Sequence, residues 1–232
     1  MRRLLIFLKY PSPGRVKTRL AAVLGDQMAC DVYRACAEIT LERLASLCRE
    51  SVVCVEPAEA LARVRAWLGP GWALRPQQGA TLGDRLIEAT AHAFTEGARR
   101  VIVVGTDSPW LTASDVEAAF AALERAPLVL GPTEDGGYYL IGLSRPARGI
   151  FEGITWSTPS VYAQTLENAR TLGLSVQILP LGYDVDHLED VRRLLAEERA
   201  RGLLTPSLQV LGRFISIEDP VRRKRPFTLR NA

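Results

Sequence analysis

Lysine is nearly missing from this chain. Of its 29 basic residues only Lys9, Lys17 and Lys224 are lysines, and the rest are arginines. Histidine occurs twice, and no Cys-x-x-Cys pair occurs. Cys30, Cys36, Cys48 and Cys54 have no histidine close by in sequence, so neither a zinc site nor a disulfide framework is expected. The thiols are read as reduced and mostly buried. No apolar run approaches the roughly 20 residues that cross a bilayer. The stretch Leu4–Leu8 falls short of the roughly 7–15 residues of a secretion-signal core, and no small-residue cleavage site follows it. It is read as a buried strand of a cytoplasmic protein. A large charge of one sign is lacking too. The balance of 29 basic against 26 acidic residues leaves +3, too mild for nucleic-acid binding without a clustered patch. The one basic run, Arg222–Pro226, is short, carries no interleaved aromatics and is read as a solvated tail. What remains is 232 residues, 47% hydrophobic and 24% charged, enough for a full core in one large or two small domains.

Short apolar runs alternate with helical spacing along the chain. Strands are expected at Leu4–Leu8, Ser51–Val55, Trp72–Arg75, Val101–Val104, Leu128–Leu130, Tyr138–Leu143 and Ser175–Leu179. Helices are expected over Gln27–Cys48, Ala58–Leu68, Asp84–Gly97, a segment ending near Arg125 and capped by Thr112 or Ser114, Ser160–Leu172 and Leu188–Arg201. This alternation argues a mostly parallel sheet with helices on both faces. Ligands of such sheets bind beyond the carboxyl ends of the strands, so the chemistry is sought in the segments that follow them.

After the first strand, Lys9–Leu20 combines a Pro/Gly turn (Pro13, Gly14) with Arg15, Lys17 and Arg19 at the start of a helix, a setting that favours a phosphate over a plain solvated loop. The spacing of a Walker A loop is absent. After Val101–Val104, Gly105 permits a tight turn and Asp107 projects from the strand end, as a Mg²⁺ ligand or as a turn and capping residue. Beyond Leu130, Asp135-Gly136-Gly137 is either a hairpin turn or a close approach to a ligand, with Glu134 and Asp135 on the same edge as Asp107. Tyr138 and Tyr139 point to opposite faces if extended, one to a pocket and one to the core. In Pro180–Val191, Asp184 and Asp186 alternate on one side of an extended segment. Asp186 is read as a second metal ligand, as the N-cap of the last helix with Glu189 at capping-box spacing, or as both. His187 is read as structural. Gln77–Leu86 is a polar loop entering a helix, where Arg85 in the first turn is unfavourable for the helix dipole unless it meets an anion. Trp156, Ser157 and Thr158 stand before another helix, as a staple and cap or as an acceptor platform.

Six of these segments, KYPSPGRVKTRL, QQGATLGDRL, GTDSPWL, GPTEDGGYYLIGL, ITWST and DVDHLED, occur in an order that resembles a bacterial glycosyltransferase-like family of the arsenosugar-biosynthesis type, related to 2-phospholactate guanylyltransferase. The resemblance covers about Met1 to Arg201. It implies the nucleotide-diphospho-sugar transferase (GT-A) fold, a Rossmann-like three-layer α/β/α sandwich with a mixed, mostly parallel sheet, over residues 1–204. A basic C-terminal extension over 205–232 lies outside it. The resemblance further implies a divalent-metal site for Mg²⁺ or Mn²⁺, with Asp107 matching a metal-binding aspartate and Asp186 a late metal-side aspartate. Lys17 and Arg19 match the basic positions of the family's first loop, Gln78, Gly79, Gly83 and Arg85 its second glycine-bearing loop, and Asp135, Gly136 and Gly137 its Asp-Gly-Gly loop. Together with the readings above, Lys9, Pro13, Gly14, Lys17, Arg19, Gln78, Gly79 and Arg85 are expected to bind nucleotide and phosphate, and Gly136, Gly137, Tyr138, Trp156, Ser157 and Thr158 the acceptor or sugar. His187 departs from the pattern, which more often has Thr there.

The first expectation is therefore metal-dependent transfer of a sugar from a nucleotide diphosphate to a small-molecule acceptor, with Asp107 and Asp135 as the catalytic pair. The alternative is nucleotidyl transfer from an NTP to a phosphorylated small acid with release of pyrophosphate. A third is a nucleotide-binding module without turnover. Nucleotide sugar or NTP and a small acceptor are the expected partners, with no nucleic acid and no membrane span; the oligomeric state is left open.

Overall fold

The computed structural model describes residues 1–202 and 205–217. The basic run Arg222–Pro226 and most of the proposed extension lie outside the described residues. Seven strands form one sheet in the order β3-β2-β1-β4-β6-β5-β7: β1 Arg2–Lys9, β2 Ser51–Glu56, β3 Ala73–Pro76, β4 Arg100–Val104, β5 Leu128–Pro132, β6 Tyr138–Leu143 and β7 Val176–Ile178. All pairings are parallel except those of β6, which runs antiparallel to both β4 and β5. The sheet is thus mixed and mostly parallel, as expected.

Eight α-helices accompany it among the described residues: α1 Thr18–Leu24, α2 Asp26–Leu44, α3 Leu61–Leu68, α4 Leu82–Thr95, α5 Ala113–Ala122, α6 Val161–Thr171, α7 Leu188–Ala200 and α8 Pro206–Ile217. Alternation along β1 divides the core. Leu4, Ile6 and Leu8 face one layer with Leu41, Val64 and Phe120 of α2, α3 and α5. Leu5 faces the other with Leu86 and Ala89 of α4 and Ala169 of α6. A third cluster packs α1 and α2 against α7, α8 and the loop residues Tyr183 and Val185.

Several boundaries move from the expected ones for local reasons. Thr81 and Thr112 cap α4 and α5 through reciprocal bonds with Asp84 and Asp115, so α4 starts two residues early. The long helix after the first loop stops at Leu44 and continues as a 3₁₀ segment, Ala45–Glu50. At α7 the N-cap is His187, with Asp190 accepting its backbone N–H at 2.7 Å. The expected cap at Asp186 with Glu189 is displaced by one residue, which leaves the Asp186 carboxylate free for side-chain partners. Helix α8 buries Leu208 and Leu211 against α2 and α7.

Strand order reverses between β1 and β4. On one side the chain moves outward through β2 and β3, and on the other through β6 and β5, which opens a crevice at the carboxyl ends of β1 and β4. The wall of α7 beside it is fixed by a buried ion pair: Arg43 of α2, 8% exposed, donates to Glu198 of α7, 0% exposed. Removing one partner of such a pair strands the other charge. Glu198→Ala is expected to cost about 3–5 kcal/mol of stability, read by urea denaturation; a loss below about 1 kcal/mol would refute a structural role for the pair.

Candidate active site

The crevice is a cleft of about 990 Å³ at that reversal. Its floor is built from strand ends and its walls from the loops that leave them. At the centre stands Lys17. Its side chain is 2% exposed and its ammonium lies between two carboxylates: it touches Asp107 Oδ1 and donates to Asp186 Oδ1 at 2.9 Å. Burial works against that charge, but Asp107 and Asp186 outweigh it and hold the Lys17 pKa well above the ordinary lysine range. The backbone of Lys17 is left-handed (φ 47), uncommon for a residue with a side chain, and forms the N-cap of α1. Arg19 takes the other oxygen of Asp186 at 2.9 Å. Burial alone would raise Asp186; Lys17 and Arg19 reverse this and hold it below the usual carboxylate range.

Two ties bring these distant segments together. The Val185 N–H donates to the Asp107 carbonyl at 2.8 Å, which docks the late loop on the end of β4. The Tyr33 hydroxyl, from the middle of α2, accepts from the Lys9 N–H at 2.9 Å and from Thr106 Oγ1 at 3.1 Å, which ties the ends of β1 and β4. Beneath the loop, Trp110 donates to the Tyr183 carbonyl at 2.6 Å and stacks on its ring, while Arg193 lies over the other side and reaches Glu134 at 3.0 Å.

Asp184 faces the same cleft. Ser108 Oγ donates to it. Burial, and then the charge of Asp107, push its carboxyl up to about 7. Lys17 acts in the opposite direction and does not compensate. Asp135 adds to this acidic edge; its Oδ1 accepts from Thr133 Oγ1 at 2.6 Å and from the Gly137 N–H at 3.1 Å, closing the turn.

Of the residues singled out from sequence, Lys9, Lys17, Arg19, Arg85, Asp107, Asp135, Gly137, Tyr138, Trp156, Ser157, Thr158 and Asp186 line the cleft. Pro13, Gly14, Gln78, Gly79 and Gly136 are not among its lining residues. Gly79 (φ 133) packs so closely on α4 that a Cβ would come within 2.6 Å of Asp84 Cβ. Gly136 (φ 86) lies against the Pro159 carbonyl with no room for a side chain. Arg85 meets its anion: it pairs with Glu56 at 3.5 Å and donates to the Gly79 carbonyl at 3.2 Å. Tyr138 lines the cleft, while Tyr139 is 7% exposed and sits edge-on to Trp110 in the core. Ser157, on the wall opposite Lys17, is also left-handed (φ 63).

Sequence reasoning gave no role to Asp184, Tyr33 or Glu56. Asp184 carried a signal, the Asp-x-Asp alternation that places both carboxylates on one side of an extended segment. Tyr33 carried none, because its function depends on the packing of α2 across two strand ends.

The donor set suits a hard dication. Asp107 and Asp184 are carboxylates that both face the cleft, with Asp184 raised by burial and then by the charge of Asp107, an oxygen set that fits Mg²⁺ or Mn²⁺. Among the described residues no group of three or more metal-ligating side chains closes on one point, and the two oxygens of Asp186 are taken by Lys17 and Arg19.

The raised carboxyl has a measurable sign. Its folded pKa of about 7 exceeds the unfolded value of about 3.9, so the stability it contributes is full below pH 4 and is lost as pH rises to 7. In EDTA, Asp184→Asn should escape that loss and gain on the wild type by on the order of 1–3 kcal/mol between pH 4 and pH 7. Parallel melting profiles across this range would contradict the raised carboxyl.

Known proteins are similar to this chain in sequence and fold. A structure from Desulfovibrio desulfuricans G20, described as a candidate nucleotide-diphospho-sugar transferase, superposes with a TM-score of 0.86 at 34% identity, over 93% of this chain and 97% of that one. Phosphoenolpyruvate guanylyltransferase from Chloroflexus aggregans is 33% identical over 129 residues, 53% of this chain and 61% of that protein, so the match spans less than two thirds of its length. The protein of the same name from Sphaerobacter thermophilus is 28% identical over 183 residues, 77% of this chain and 86% of its own. All three bear transferase names, and the Desulfovibrio structure shares the three-layer architecture. The profile described as uncharacterized protein conserved in bacteria (DUF2064) matches residues 40–158, from the end of α2 through β4 and Asp107 to the Trp156 loop, and by that match, just over half of the sequence, the chain belongs to the DUF2064 family.

Proposed function

We propose that this transferase is a nucleotidyltransferase, which moves a nucleoside monophosphate from an NTP to an oxygen of a small acceptor and releases pyrophosphate. The observation that carries the reading is the cation content of the cleft. Lys9, Arg15, Lys17, Arg19 and Arg85 line it from the β1 and β3 sides, with Lys17 locked in place by two carboxylates. Four of the five come from the segment that ends β1 and follows it, a concentration that suits a polyphosphate, and six carboxylates (Glu56, Asp107, Glu134, Asp135, Asp184 and Asp186) share the lining and call for a dication beside it. The choice of an NTP over a nucleotide sugar rests on the guanylyltransferase names of the two curated relatives. Sugar transfer, the first expectation from sequence, keeps one specific support: the partly exposed Trp156 in the acceptor wall is a stacking surface for a sugar face.

The reaction divides among the residues as follows. Arg15, Lys17 and Arg19 hold the β- and γ-phosphates and take up charge as pyrophosphate leaves. Asp107 and Asp184 would hold Mg²⁺ or Mn²⁺, with Asp186 fixing Lys17 and Arg19. When bound, a dication supplies Lewis-acid polarisation of the α-phosphate. The acceptor oxygen forms a bond to the α-phosphorus, and the bond from that phosphorus to the oxygen bridging to the β-phosphate breaks. A hydroxyl acceptor yields its proton to Asp135, whose carboxylate the Thr133 hydroxyl and the Gly137 N–H orient.

Incubation with each of the four NTPs, a divalent cation and a panel of acceptors should release pyrophosphate with at least one combination. Asp107→Asn should lower kcat at least about 100-fold while melting within a few degrees of the wild type. Nucleotide-sugar consumption without pyrophosphate from any NTP would turn the assignment to glycosyl transfer.

A further inference from the structure

The cleft has a second compartment. A recess of about 230 Å³ adjoins it and shares Phe7, Leu82, Asp107, Tyr138, Trp156 and Asp184 with it. Its walls are Phe7, Leu86, Val103, Tyr138, Ile141 and Trp156. Val103 and Ile141 are register partners across β4 and β6, and with Leu86 of α4 they belong to the core on that face of the sheet. Among the described residues no lysine, arginine or histidine lines the recess, and its polar side includes Asp107, Ser108 and Asp184. The two compartments therefore differ in what they offer an anion: the outer one mixes five cations with six carboxylates, and the inner one has apolar walls, two carboxylates and no cation.

An anion entering the recess would lose its hydration and meet no cation, which is strongly unfavourable. A dication beside the two carboxylates would only balance them and leave the walls apolar. An apolar body gains by entering, in proportion to the area it buries. Apolar cavities of about 150 Å³ take a benzene ring, so 230 Å³ leaves room for a ring with a short side chain.

We infer that the recess seats the apolar body of the acceptor, and that this acceptor is an uncharged alcohol whose hydroxyl stands out into the larger cleft that Asp135 lines. The inference rests on the nucleotidyl-transfer reading for its word acceptor, and it parts from the phosphorylated acid in the names of the curated relatives. The β6 strand makes the difference in chemistry: by running antiparallel it delivers Ile141 beside Val103 at the recess floor and Tyr138 at its edge.

The test is a titration of methyl-labelled, metal-free protein with 2-phenylethanol and, separately, with phosphoenolpyruvate, followed by NMR. The alcohol should shift the Leu86, Val103 and Ile141 methyls, and phosphoenolpyruvate should not. Ile141→Phe fills the recess and should weaken alcohol binding at least about tenfold, with the NTP-induced rise in Tm retained. Leu86→Ala enlarges the recess and should tighten binding of the bulkier 2-(2-naphthyl)ethanol, which keeps the inference testable if Ile141→Phe fails to fold. Phosphoenolpyruvate moving the same methyls as strongly, or the alcohol moving none of them, overturns the inference. Pyrophosphate release is measured in parallel. Recess shifts with no pyrophosphate from any NTP overturn the nucleotidyl-transfer reading and leave the recess as a site for an uncharged ligand.

Discussion

A single ammonium, that of Lys17, holds the site together. It comes from the loop after β1, Asp107 comes from the end of β4, and Asp186 comes from the loop before α7. Three segments far apart in sequence meet at one nitrogen. Without that charge the acidic edge would repel itself, and without the acidic edge the lysine would not tolerate its burial. Asp184 stays raised by burial and by the charge of Asp107, and Lys17 does not offset this, so the acidic edge is only partly balanced. The same nitrogen therefore sets the charge balance along this edge of the cleft.

The rest of the fold serves to keep that meeting point in register. The Val185–Asp107 backbone bond and the Tyr33 hydroxyl fix the strand ends to within a hydrogen bond of one another. Behind them, the aromatic stack of Trp110 and Tyr183, capped by Arg193, carries the late loop. The Arg43–Glu198 pair then fixes α7 to α2, the helix that bears Tyr33. The chain of contacts runs from a buried ion pair between α2 and α7 to the floor of the cleft through the body of α2.

Much of this was legible in the residues. Strands of β-branched runs such as Val101–Val104 and the loops after them were visible because periodicity and position decide them. The direction of β6 was legible only through the hairpin reading of Asp135-Gly136-Gly137, since its apolar run is the same for an antiparallel and a parallel strand. The one-residue shift of the α7 cap turned on whether Asp190 or Glu189 reaches back, a matter of side-chain geometry. The cleft-lining role of Lys9, Lys17, Arg19, Arg85 and Asp107 agrees with their place after strands, whereas Pro13, Gly14, Gln78, Gly79 and Gly136 shape backbone and stay out of the lining. Charge balance was the hidden quantity: sequence could pair Asp107 with Asp186 as metal ligands but could not foresee that Lys17 stands between them.

Gly136 fits against the Pro159 carbonyl with no space for a Cβ, and its own carbonyl accepts the Tyr162 N–H at 2.9 Å. The Asp135–Gly137 turn and the Trp156–Thr158 loop are by this contact one mechanical piece, although some twenty residues separate them in the chain. Mutations that reshape this wall of the cleft are then constrained to arrive in matched sets, one in each loop, while the Lys17 side of the cleft is left as it was.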